Sequence, residues 1–269
     1  MKISVILSTY NWPDALNLAL KSLARQTDRD FEVVVADDGS RDDTRALIDT
    51  WREKFPVPLV HSWQPDEGFR AARSRNKAVT FASGDYLILM DGDCFVRKDF
   101  VATHRALARP HRIVAGQRIL LSDAFSRSCF ETGEIDWMED LGALRRLTRE
   151  KSINRWQPAL GLSLGPIRFL RPRRWQLFRT CNCSLFNEDF RAVGGQDEQF
   201  EGWGYEDSDM AIRLINNGCR MTWGLCSSPC FHLWHREADR SRKDANWDRL
   251  METERSGRTQ PVRPMQAHY

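Results

Sequence analysis

The first hundred residues alternate short, continuously apolar runs with amphipathic segments of helical period. The apolar runs cover residues 3–7, 31–36, 57–62 and 85–90, and the helical segments cover residues 13–25, 42–54 and 69–81. Apolar strands that alternate with helices of this length are typical of βα units around a parallel sheet. We therefore predict an α/β fold with a mostly parallel central sheet and helices on both faces.

Polar clusters follow three of the predicted strands, at the point where each strand ends. They are Ser8-Thr9-Tyr10-Asn11, Asp37-Asp38-Gly39-Ser40 and Asp91-Gly92-Asp93. In open α/β sheets, ligands bind beyond the carboxyl ends of the strands. The sequence therefore predicts one binding site at this rim of the sheet.

Asp91 and Asp93 are the first candidates for chemistry. They flank a glycine directly after an apolar strand, so both carboxylates can point at one divalent cation while the backbone turns. Oxygen ligands suit Mg²⁺ or Mn²⁺, which can bridge a diphosphate and neutralise its charge as it departs. Asp and Gly are also common turn residues, but the two neighbouring polar clusters favour the metal site.

A second acidic cluster lies in the segment Gly202-Trp203-Gly204-Tyr205-Glu206-Asp207-Ser208-Asp209, which leads into a predicted helix. Acids at a helix start cap free amides, but three acids in four residues exceed that need. The indole of Trp203 offers a flat face to a sugar ring. Asp207 or Glu206 can serve as a general base toward a hydroxyl group.

Two histidines occur close together in His232-Leu233-Trp234-His235. Either alone could be a structural group, but as a pair one of them could give a late ligand to a metal held by Asp93. We favour His235 over His232. Zinc bound by the cysteines is disfavoured, because neither Cys181-x-Cys183 nor Cys226-x₃-Cys230 has the usual spacing.

Two basic segments have open interpretations. Arg70, Arg73, Arg75 and Lys77 crowd one predicted helix and could face phosphates or form a solvated surface. The segment from Arg168 to Arg174 could contact an anionic acceptor or an anionic membrane surface, or it could be a loop that orders when a ligand binds.

The chain is predicted to form one continuous domain. The strand–helix alternation ends near residue 120, so we divide residues 1–240 into a nucleotide-binding half, 1–120, and an acceptor and catalytic half, 121–240. Residues 241–269 are predicted to form a polar, loosely held C-terminal tail.

Bulk composition limits the location and the partners. Lys and Arg total 40 against 37 Asp and Glu, a balance that favours no nucleic-acid partner. Seven cysteines, an odd number, favour a reducing compartment. No signal-peptide pattern or membrane-spanning apolar run occurs. We expect a cytoplasmic protein, and any membrane contact would be peripheral, on the inner face of the membrane.

Together these motifs resemble a known family. The segments 5–11, 34–40, 72–77 and 84–93 are similar to those of family 2 glycosyltransferases, which have the GT-A fold. Residues 180–236 resemble, through Gly202–Asp207, the C-terminal catalytic region shared by β-galactosyltransferases, polypeptide GalNAc-transferases and chondroitin-type polymerases.

The resemblance implies how a UDP-sugar donor would be bound. Thr9, Tyr10, Asp37 and Asp38 would bind the uridine, with an aspartate reading the uracil, and Arg75 would lie near the nucleotide. Trp203 belongs to the same donor site.

The resemblance also implies the metal ligands and the base. Asp91 would approach the ribose and the metal, Asp93 would ligate Mn²⁺ or Mg²⁺ directly, and His235 would be the histidine ligand. Asp207 would be the base of an inverting displacement, and Glu206 would contact the sugar or the acceptor. The additional residues Asp209 and His232 leave the base and the ligand open.

The implied reaction is transfer of a hexose or N-acetylhexosamine, with galactose or GalNAc favoured, from a UDP-sugar to a hydroxyl of a carbohydrate or glycolipid. A bacterial surface polysaccharide or lipopolysaccharide pathway fits this reaction. One alternative is a nucleotidylyltransferase, which would carry a glycine-rich basic loop after the first strand. The other is a catalytically inactive UDP-sugar-binding module, which would lack the acids that are present at Asp93 and Asp207.

Overall fold

The computed structural model describes residues 1–236 and 239–266. Within these residues the chain forms ten β-strands, nine α-helices and four short 3₁₀ helices. The strands are β1 Ile3–Thr9, β2 Phe31–Asp37, β3 Leu59–Trp63, β4 Tyr86–Asp91, β5 Cys94–Val96, β6 Arg112–Ala115, β7 Arg118–Leu120, β8 Asn182–Phe186, β9 Arg220–Trp223 and β10 Cys230–His232. The α-helices are α1 Pro13–Leu23, α2 Asp42–Arg52, α3 Ala71–Phe81, α4 Phe100–Leu107, α5 Asp123–Thr132, α6 Leu141–Arg149, α7 Asn187–Ala192, α8 Glu206–Asn216 and α9 Lys243–Ser256. The 3₁₀ helices are Asp136–Glu139, Gln157–Leu160, Gly165–Phe169 and Trp175–Leu177.

A seven-stranded sheet forms the centre of the fold, in the order β3-β2-β1-β4-β8-β6-β9. β1 runs parallel to β2 and β4, β2 to β3, and β6 to β9. β8 runs antiparallel to both β4 and β6. The prediction of a mostly parallel sheet is confirmed. The direction of β8 could not be predicted, because a strand buried on both faces has the same apolar pattern in either direction.

The predicted cover of helices on both faces is confirmed by two separate cores. Successive side chains of a strand point to opposite faces of the sheet. Val5 of β1 accordingly packs in one core with Leu16 of α1 and Ile48 of α2. Its neighbour Ile6 packs in the other core, which includes Val79 of α3.

A small three-stranded sheet, in the order β5-β10-β7, follows the carboxyl end of β4. β10 pairs antiparallel with β5, so that His232 lies opposite Cys94. The backbone N–H of Leu233 also donates to the carbonyl oxygen of Asp93, over 2.9 Å. This pairing brings the histidine segment beside the turn that carries Asp91 and Asp93.

A break separates two helical segments between residues 136 and 149. A 3₁₀ helix ends at Glu139, and α6 begins at Leu141. Asp140 between them is extended, and its side chain accepts the N–H of Gly142 over 2.7 Å. An aspartate in this position caps a helix start, which explains the break.

The C-terminal segment differs from the predicted loosely held tail. Residues 243–256 form α9, which packs against α8 and has Asn246, Leu250 and Thr253 fully buried. The Oγ1 of Thr253 donates to Asp209 of α8 over 2.6 Å. Only one of these three buried residues is apolar, so the apolar pattern gave little sign of the packing. Residues 267–269 of the predicted tail lie outside the described residues.

Two further observations concern membranes and thiols. Among the described residues, no helix combines the length and the apolar composition needed to cross a bilayer. All seven cysteines are free thiols. Cys181 and Cys183 belong to different cores on opposite faces of the sheet, which is not the arrangement of a two-cysteine zinc chelate.

Candidate active site

A cleft of about 830 Å³ opens at the carboxyl ends of β1, β2 and β4, where the polar clusters predict a site. The register of the sheet places Ser8 beside Asp91 and Thr9 beside Asp37. The far wall of the cleft comes from the segments 203–208 and 232–235, which are distant in sequence. The predicted site residues that line the cleft are Thr9, Tyr10, Asp38, Arg75, Asp91, Asp93, Trp203, Glu206, Asp207 and His235.

Asp93 lies between the two histidines. Its Oδ2 is 3.3 Å from Nε2 of His235 and 3.5 Å from Nε2 of His232, and the two imidazole rings are 5.2 Å apart. The sequence favoured His235 over His232, but the structure brings both side chains to the same carboxylate. Burial raises the pKa of Asp93 above its usual value, although the positive charge that the histidines can carry opposes this effect.

The Nε2 atom of each histidine faces Asp93 and can offer a lone pair to a metal when the ring is neutral. Nδ1 of His232 lies 2.8 Å from the carbonyl oxygen of Leu233, and Nδ1 of His235 lies 2.7 Å from that of Arg236. A carbonyl oxygen only accepts hydrogen bonds, so in each neutral ring the proton is on Nδ1 and Nε2 is free. A backbone carbonyl on the opposite ring nitrogen is the usual support of a metal-binding histidine. One carboxylate and two such nitrogens fit a divalent cation.

The thiol of Cys94 is the third potential ligand near this carboxylate. Ligand atoms of Asp93, Cys94 and His232 lie within 4.8 Å of one another. Burial raises the pKa of Cys94 well above its usual value, so the thiol remains protonated. Its Sγ lies 3.5 Å from Oδ1 of Asp93, to which it can donate. Because a metal binds the thiolate, the oxygen and nitrogen atoms are the better ligand set.

Arg75 connects the two halves of the cleft. Its guanidinium, on a side chain that is 6% exposed, donates to Asp91 Oδ1 over 2.8 Å and to Glu206 Oε1 over 3.3 Å. The guanidinium also donates to Ser8 Oγ over 3.3 Å. Burial lowers the pKa of Arg75, but the carboxylates of Asp91 and Glu206 outweigh it and raise the pKa above its usual value. Arg75 therefore stays charged and holds helix α8 against the end of β4.

Glu206 and Asp207 occupy the first turn of α8. Tyr205 before them has a φ of +74°, an uncommon backbone conformation for a residue with a side chain. Burial, reinforced by the charge of Asp207, raises the pKa of Glu206 to about 7. Burial also raises the pKa of Asp207, although the nearby Arg179 guanidinium opposes this effect. Both carboxylates thus hold protons more tightly than usual, as a group that must accept a proton does.

Asp209, which left the identity of the base open, is a structural residue. It is fully buried, and its Oδ2 accepts from Nε of Arg213 over 2.7 Å. Its Oδ1 accepts from the hydroxyl of Thr253 over 2.6 Å. Asp209 does not line the cleft. Its carboxylate joins α8 to α9. Of the three acids in the first turn of α8, this leaves Glu206 and Asp207 facing the cleft.

The two aspartates after β2 have different surroundings. Asp38 lines the cleft, whereas Asp37 lies behind it and is 1% exposed. Asp37 accepts from the N–H of Ser40 over 2.8 Å and is 2.8 Å from Nε2 of His61. Burial raises the pKa of Asp38 to about 6, although hydrogen bonds from the N–H of Arg70 and from Gln64 oppose this effect. Of the two aspartates, only Asp38 can be reached by a ligand in the cleft, such as the nucleobase of a nucleotide.

Aromatic side chains form the outer wall of the cleft. The ring of Tyr205 lies 6.4 Å from that of Trp203 and 5.2 Å from that of Trp247 of α9. The guanidinium of Arg240 stacks 4.8 Å from the ring centre of Trp203. Flat aromatic faces of this kind pack against sugar rings. The support that Trp247 of α9 gives to Tyr205 was not predicted, because residues 241–269 were interpreted as a tail.

Several other cleft residues were not predicted from the sequence. Arg179 lines the cleft because β8, which follows it, runs antiparallel to β4 and so begins at the ligand-binding rim. Arg118 reaches the cleft from the start of β7. Trp12 packs edge-on against His235, with ring centres 6.1 Å apart. The polar cluster that precedes Trp12 was the one sequence signal that pointed to it.

The basic helix segment separates into different roles. Arg75 alone of the four predicted cations lines the cleft. Arg70 pairs with Glu201, Arg73 lies 2.8 Å from Glu67, and Lys77 donates to the carbonyl oxygen of Trp63 over 2.9 Å. Of the two interpretations left open, facing a bound phosphate therefore applies at most to Arg75, and the other three cations lie in contacts around α3.

Two family models match the chain. Residues 4–154 match the family described as glycosyl transferase family 2, and residues 168–236 match the N-terminal domain of galactosyltransferase. Because the first match covers more than half of the chain, the protein belongs to glycosyl transferase family 2. The family that the sequence motifs resembled is thereby confirmed, and the nucleotidylyltransferase alternative is set aside.

One relative and two solved structures indicate the range of similar proteins. Validoxylamine A glucosyltransferase of Streptomyces hygroscopicus subsp. jinggangensis is 32% identical over 93% of this chain, which spans 60% of that relative's length. TarS residues 1–349 of S. aureus, in complex with UDP, has a TM-score of 0.68 and 18% identity, over 96% of this chain and 65% of that chain. GalNAc-T7 with UDP, GalNAc and Mn²⁺ has a TM-score of 0.64 and 16% identity, over 94% of this chain and 48% of that chain. At these identities the two structures establish the shared GT-A fold.

Proposed function

We propose that the protein is an inverting, metal-dependent glycosyltransferase that uses a UDP-sugar donor. The observation that carries this proposal is the convergence of Asp93, His232 and His235 at one end of the cleft, with Glu206 and Asp207 across from them. The similar TarS structure contains UDP, and the similar GalNAc-T7 structure contains UDP, GalNAc and Mn²⁺. The division into a nucleotide-binding half, 1–120, and an acceptor half, 121–240, is part of the same proposal.

The donor would lie with its uridine at the ends of β1 and β2. Thr9, Tyr10 and Asp38 line that end of the cleft, and the neutral or charged carboxyl of Asp38 can pair with the polar edge of a uracil. Asp37 would act indirectly, through its hydrogen bond to the N–H of Ser40. Arg75 would hold Asp91 in place near the ribose.

The metal would be bound by Asp93 and by Nε2 of His235, His232 or both, with Asp91 nearby. When bound, a divalent cation neutralises charge on the diphosphate leaving group. Nitrogen ligands favour Mn²⁺ over Mg²⁺, because Mg²⁺ strongly prefers oxygen and retains its waters. We therefore favour Mn²⁺ as the working metal.

Asp207 is proposed as the base. Within the described residues, its hydrogen bonds come from the N–H and the hydroxyl of Ser208 and involve Oδ1 alone, at 2.6 and 3.1 Å. Oδ2 is therefore available to accept the proton of an acceptor hydroxyl while the hydroxyl oxygen attacks the anomeric carbon. Glu206 is held by Arg75 and suits a role in contacting the sugar or the acceptor. Attack from the side opposite the UDP inverts the configuration at the anomeric carbon.

The sugar and the acceptor follow from weaker signals. The galactosyltransferase match over residues 168–236 supports galactose or GalNAc as the transferred sugar. The aromatic wall of Trp203 and Tyr205, with Trp247 packed against Tyr205, supports a carbohydrate or glycolipid acceptor. We place the reaction in bacterial surface polysaccharide or lipopolysaccharide synthesis, in the cytoplasm or at the inner face of the membrane.

The test is a UDP-release assay over UDP-Gal, UDP-GalNAc, UDP-GlcNAc and UDP-Glc, with Mn²⁺, Mg²⁺ or EDTA. We expect slow hydrolysis of one donor, strongest with Mn²⁺, and its loss in Asp93→Ala. The exposed Asp49 of α2 provides a matched control, Asp49→Asn, which should retain the wild-type rate. Absence of both UDP release and Mn²⁺-dependent UDP binding would contradict the proposal. Mn²⁺-dependent binding of UDP-sugars that are never turned over, even with a range of sugar acceptors, would favour the inactive binding module.

A further inference from the structure

Residues 161–175 expose an unusual number of large apolar side chains; we call this segment the apolar–basic surface. Within the described part of the chain, thirteen large apolar side chains are exposed, and four of them lie among the nine residues 162–170. They are Leu162, Ile167, Phe169 and Leu170, of which Leu170 is 73% exposed. Clustered exposed apolar side chains mark interaction sites on soluble domains.

The same region carries only positive charge. Residues 151–187 contain no Asp or Glu, in a chain that otherwise has nearly equal numbers of acids and bases. The cations of this stretch are Lys151, Arg155, Arg168, Arg171, Arg173, Arg174 and Arg179. Arg171, Arg173 and Arg174 directly follow the exposed apolar residues and are themselves exposed. The surface therefore combines apolar contact area with a basic border.

Arg168 has a different role from its basic neighbours. It is buried, and its guanidinium donates to the carbonyl oxygens of Leu162, Trp223 and Leu225, over 2.5, 3.0 and 2.8 Å. Of the basic residues in the segment 168–174, Arg168 is therefore not available to contact an external anion. Its hydrogen bonds instead fix the loop in the shape that leaves Ile167 and Leu170 exposed.

Backbone hydrogen bonds hold both ends of the surface against the body of the protein. The N–H of Leu162 donates to the carbonyl oxygen of Cys226 over 2.7 Å, and the N–H of Met221 donates to that of Pro172 over 2.9 Å. Met221 belongs to β9, the edge strand of the large sheet. The exposed apolar side chains thus project from an anchored segment at one edge of the fold.

We propose that the apolar–basic surface docks the protein on an anionic lipid bilayer. Ile167 and Leu170 would enter the interface between head groups and acyl chains, and Arg171, Arg173 and Arg174 would contact lipid phosphates. Apolar side chains gain from leaving water only where the partner offers an apolar phase, which favours a bilayer over a soluble polyanion. Basic residues beside them favour anionic over zwitterionic head groups.

The surface is connected to the proposed active site through the chain itself. Only four residues beyond Trp175 the chain reaches Arg179, Thr180 and Cys181, which line the cleft. Docking would therefore hold the cleft near the bilayer, where a lipid-linked acceptor carries its sugar. This consequence for the acceptor rests on the proposed function, whereas the docking itself does not.

The experiment is co-sedimentation of the full chain with vesicles, without any sugar nucleotide. One set of vesicles is pure phosphatidylcholine, and the other contains about one third phosphatidylglycerol. Two double variants are compared with the wild type: Ile167→Ser with Leu170→Ser, and Arg173→Glu with Arg174→Glu. Matched controls lie beside the opposite edge of the sheet. Phe81→Ser removes an exposed apolar side chain of α3. Arg45→Glu on α2, together with Lys54→Glu in the turn after it, reverses two exposed charges.

We expect the wild type and both controls to sediment with phosphatidylglycerol vesicles and only weakly with pure phosphatidylcholine. Each double variant in the surface should lose at least about tenfold in partitioning, since each removes one of the two attractions. Equal sedimentation of all variants, or none of the wild type, would overturn the proposal. Binding that needs the arginines but not Ile167 and Leu170, and that soluble polyphosphate abolishes, would assign the surface to a polyanion instead. Mn²⁺-dependent UDP binding, measured in parallel, reports on the proposed function separately.

Discussion

The Nε2 atom of His235 lies 3.3 Å from Oδ2 of Asp93, although the two residues are far apart in the sequence. The antiparallel pairing of β10 with β5 produces this approach and brings His232 to the same oxygen. A carboxylate with two imidazole nitrogens beside it is a ligand set that suits a divalent cation. Both histidines should therefore take part in metal binding.

Mn²⁺ affinity tests this arrangement. Loss of even an outer hydrogen-bond partner of a metal ligand costs about 10–100-fold in affinity, so His232→Ala and His235→Ala should each cost at least ~10-fold. Calorimetric titration with Mn²⁺ measures the effect. His111→Asn is the control, because His111 pairs with Asp189 outside the cleft and has a φ of +52° that Asn tolerates. Full Mn²⁺ affinity in either alanine variant would remove that histidine from the ligand set.

The burial of Asp38 predicts a pH-dependent stability difference. Its pKa is about 6 in the folded protein against a usual value of 3.8, so the folded state binds this proton more tightly than the unfolded state. The resulting stabilisation is complete below pH 3.8 and is lost as the pH rises through about 6. An Asn at this position does not titrate, so Asp38→Asn has no such loss. The melting temperature of Asp38→Asn minus that of the wild type should therefore rise between pH 4 and pH 7.

The surroundings of Asp38 allow this substitution. The N–H of Arg70 can donate to the remaining amide oxygen. The Oε1 atom of Gln64 is buried and has no hydrogen-bond partner among the described residues. A flip of the Gln64 amide would bring this oxygen to the position from which Nε2 now donates, where it can accept from the new Asn nitrogen. Asp49→Asn on the exposed face of α2 serves as the control. A melting-temperature difference for Asp38→Asn that stays constant across this pH range would contradict the prediction.

Arg75 should contribute to stability as well as to the site. Removing one partner of a buried ion pair leaves an uncompensated charge and costs about 3–5 kcal/mol. We expect a loss of this order in Arg75→Met, because Asp91 and Glu206 both depend on the guanidinium. Arg75→Lys should recover only part of it, since one ammonium cannot span both carboxylates as the planar group does. Urea denaturation at neutral pH measures the change, and wild-type stability of Arg75→Met would contradict the account.

The bond between Thr253 and Asp209 tests whether α9 belongs to the folded domain. Thr253→Val keeps the shape but removes the hydroxyl that donates to a fully buried carboxylate. The unsatisfied oxygen should cost about 1–3 kcal/mol of unfolding free energy. Thr50→Val on α2, where the hydroxyl is exposed, should change it by less than about 0.5 kcal/mol. Equal effects of the two substitutions would mean that α9 is only loosely attached.

Much of the nucleotide-binding end was predictable from local pattern. The parallel strands β1, β2 and β4 are mostly apolar. In such a sheet, ligands bind beyond the carboxyl ends of the strands. The clusters at Thr9, Asp38 and Asp91 therefore lie at one rim for a reason that the sequence contains. The pattern could not separate Asp38 from Asp37, because the hydrogen bonds to Ser40 and His61 that occupy Asp37 depend on the tertiary fold.

The opposite wall of the cleft was harder to predict. Arg179 reaches it through the reversed direction of β8, and Trp247 of α9 packs against Tyr205, which lines it. Neither residue leaves a periodic apolar signal. The burial of Asp209 depends on Thr253, a contact between segments that are distant in sequence. Long-range pairings of this kind need the structure. Glu206 and Asp207 could be recognised from the sequence, because three acids in four residues are more than helix capping requires.

Turnover of the best donor by Asp207→Asn is the most direct test of Asp207 as the general base. Mn²⁺-dependent UDP binding is measured on the same sample. The account predicts that binding stays within a fewfold of wild type while transfer falls by about 10²–10⁴-fold, as expected for loss of a general base. Near-wild-type transfer by Asp207→Asn, or transfer that is lost only in Glu206→Gln, would contradict the assignment of Asp207 as the base.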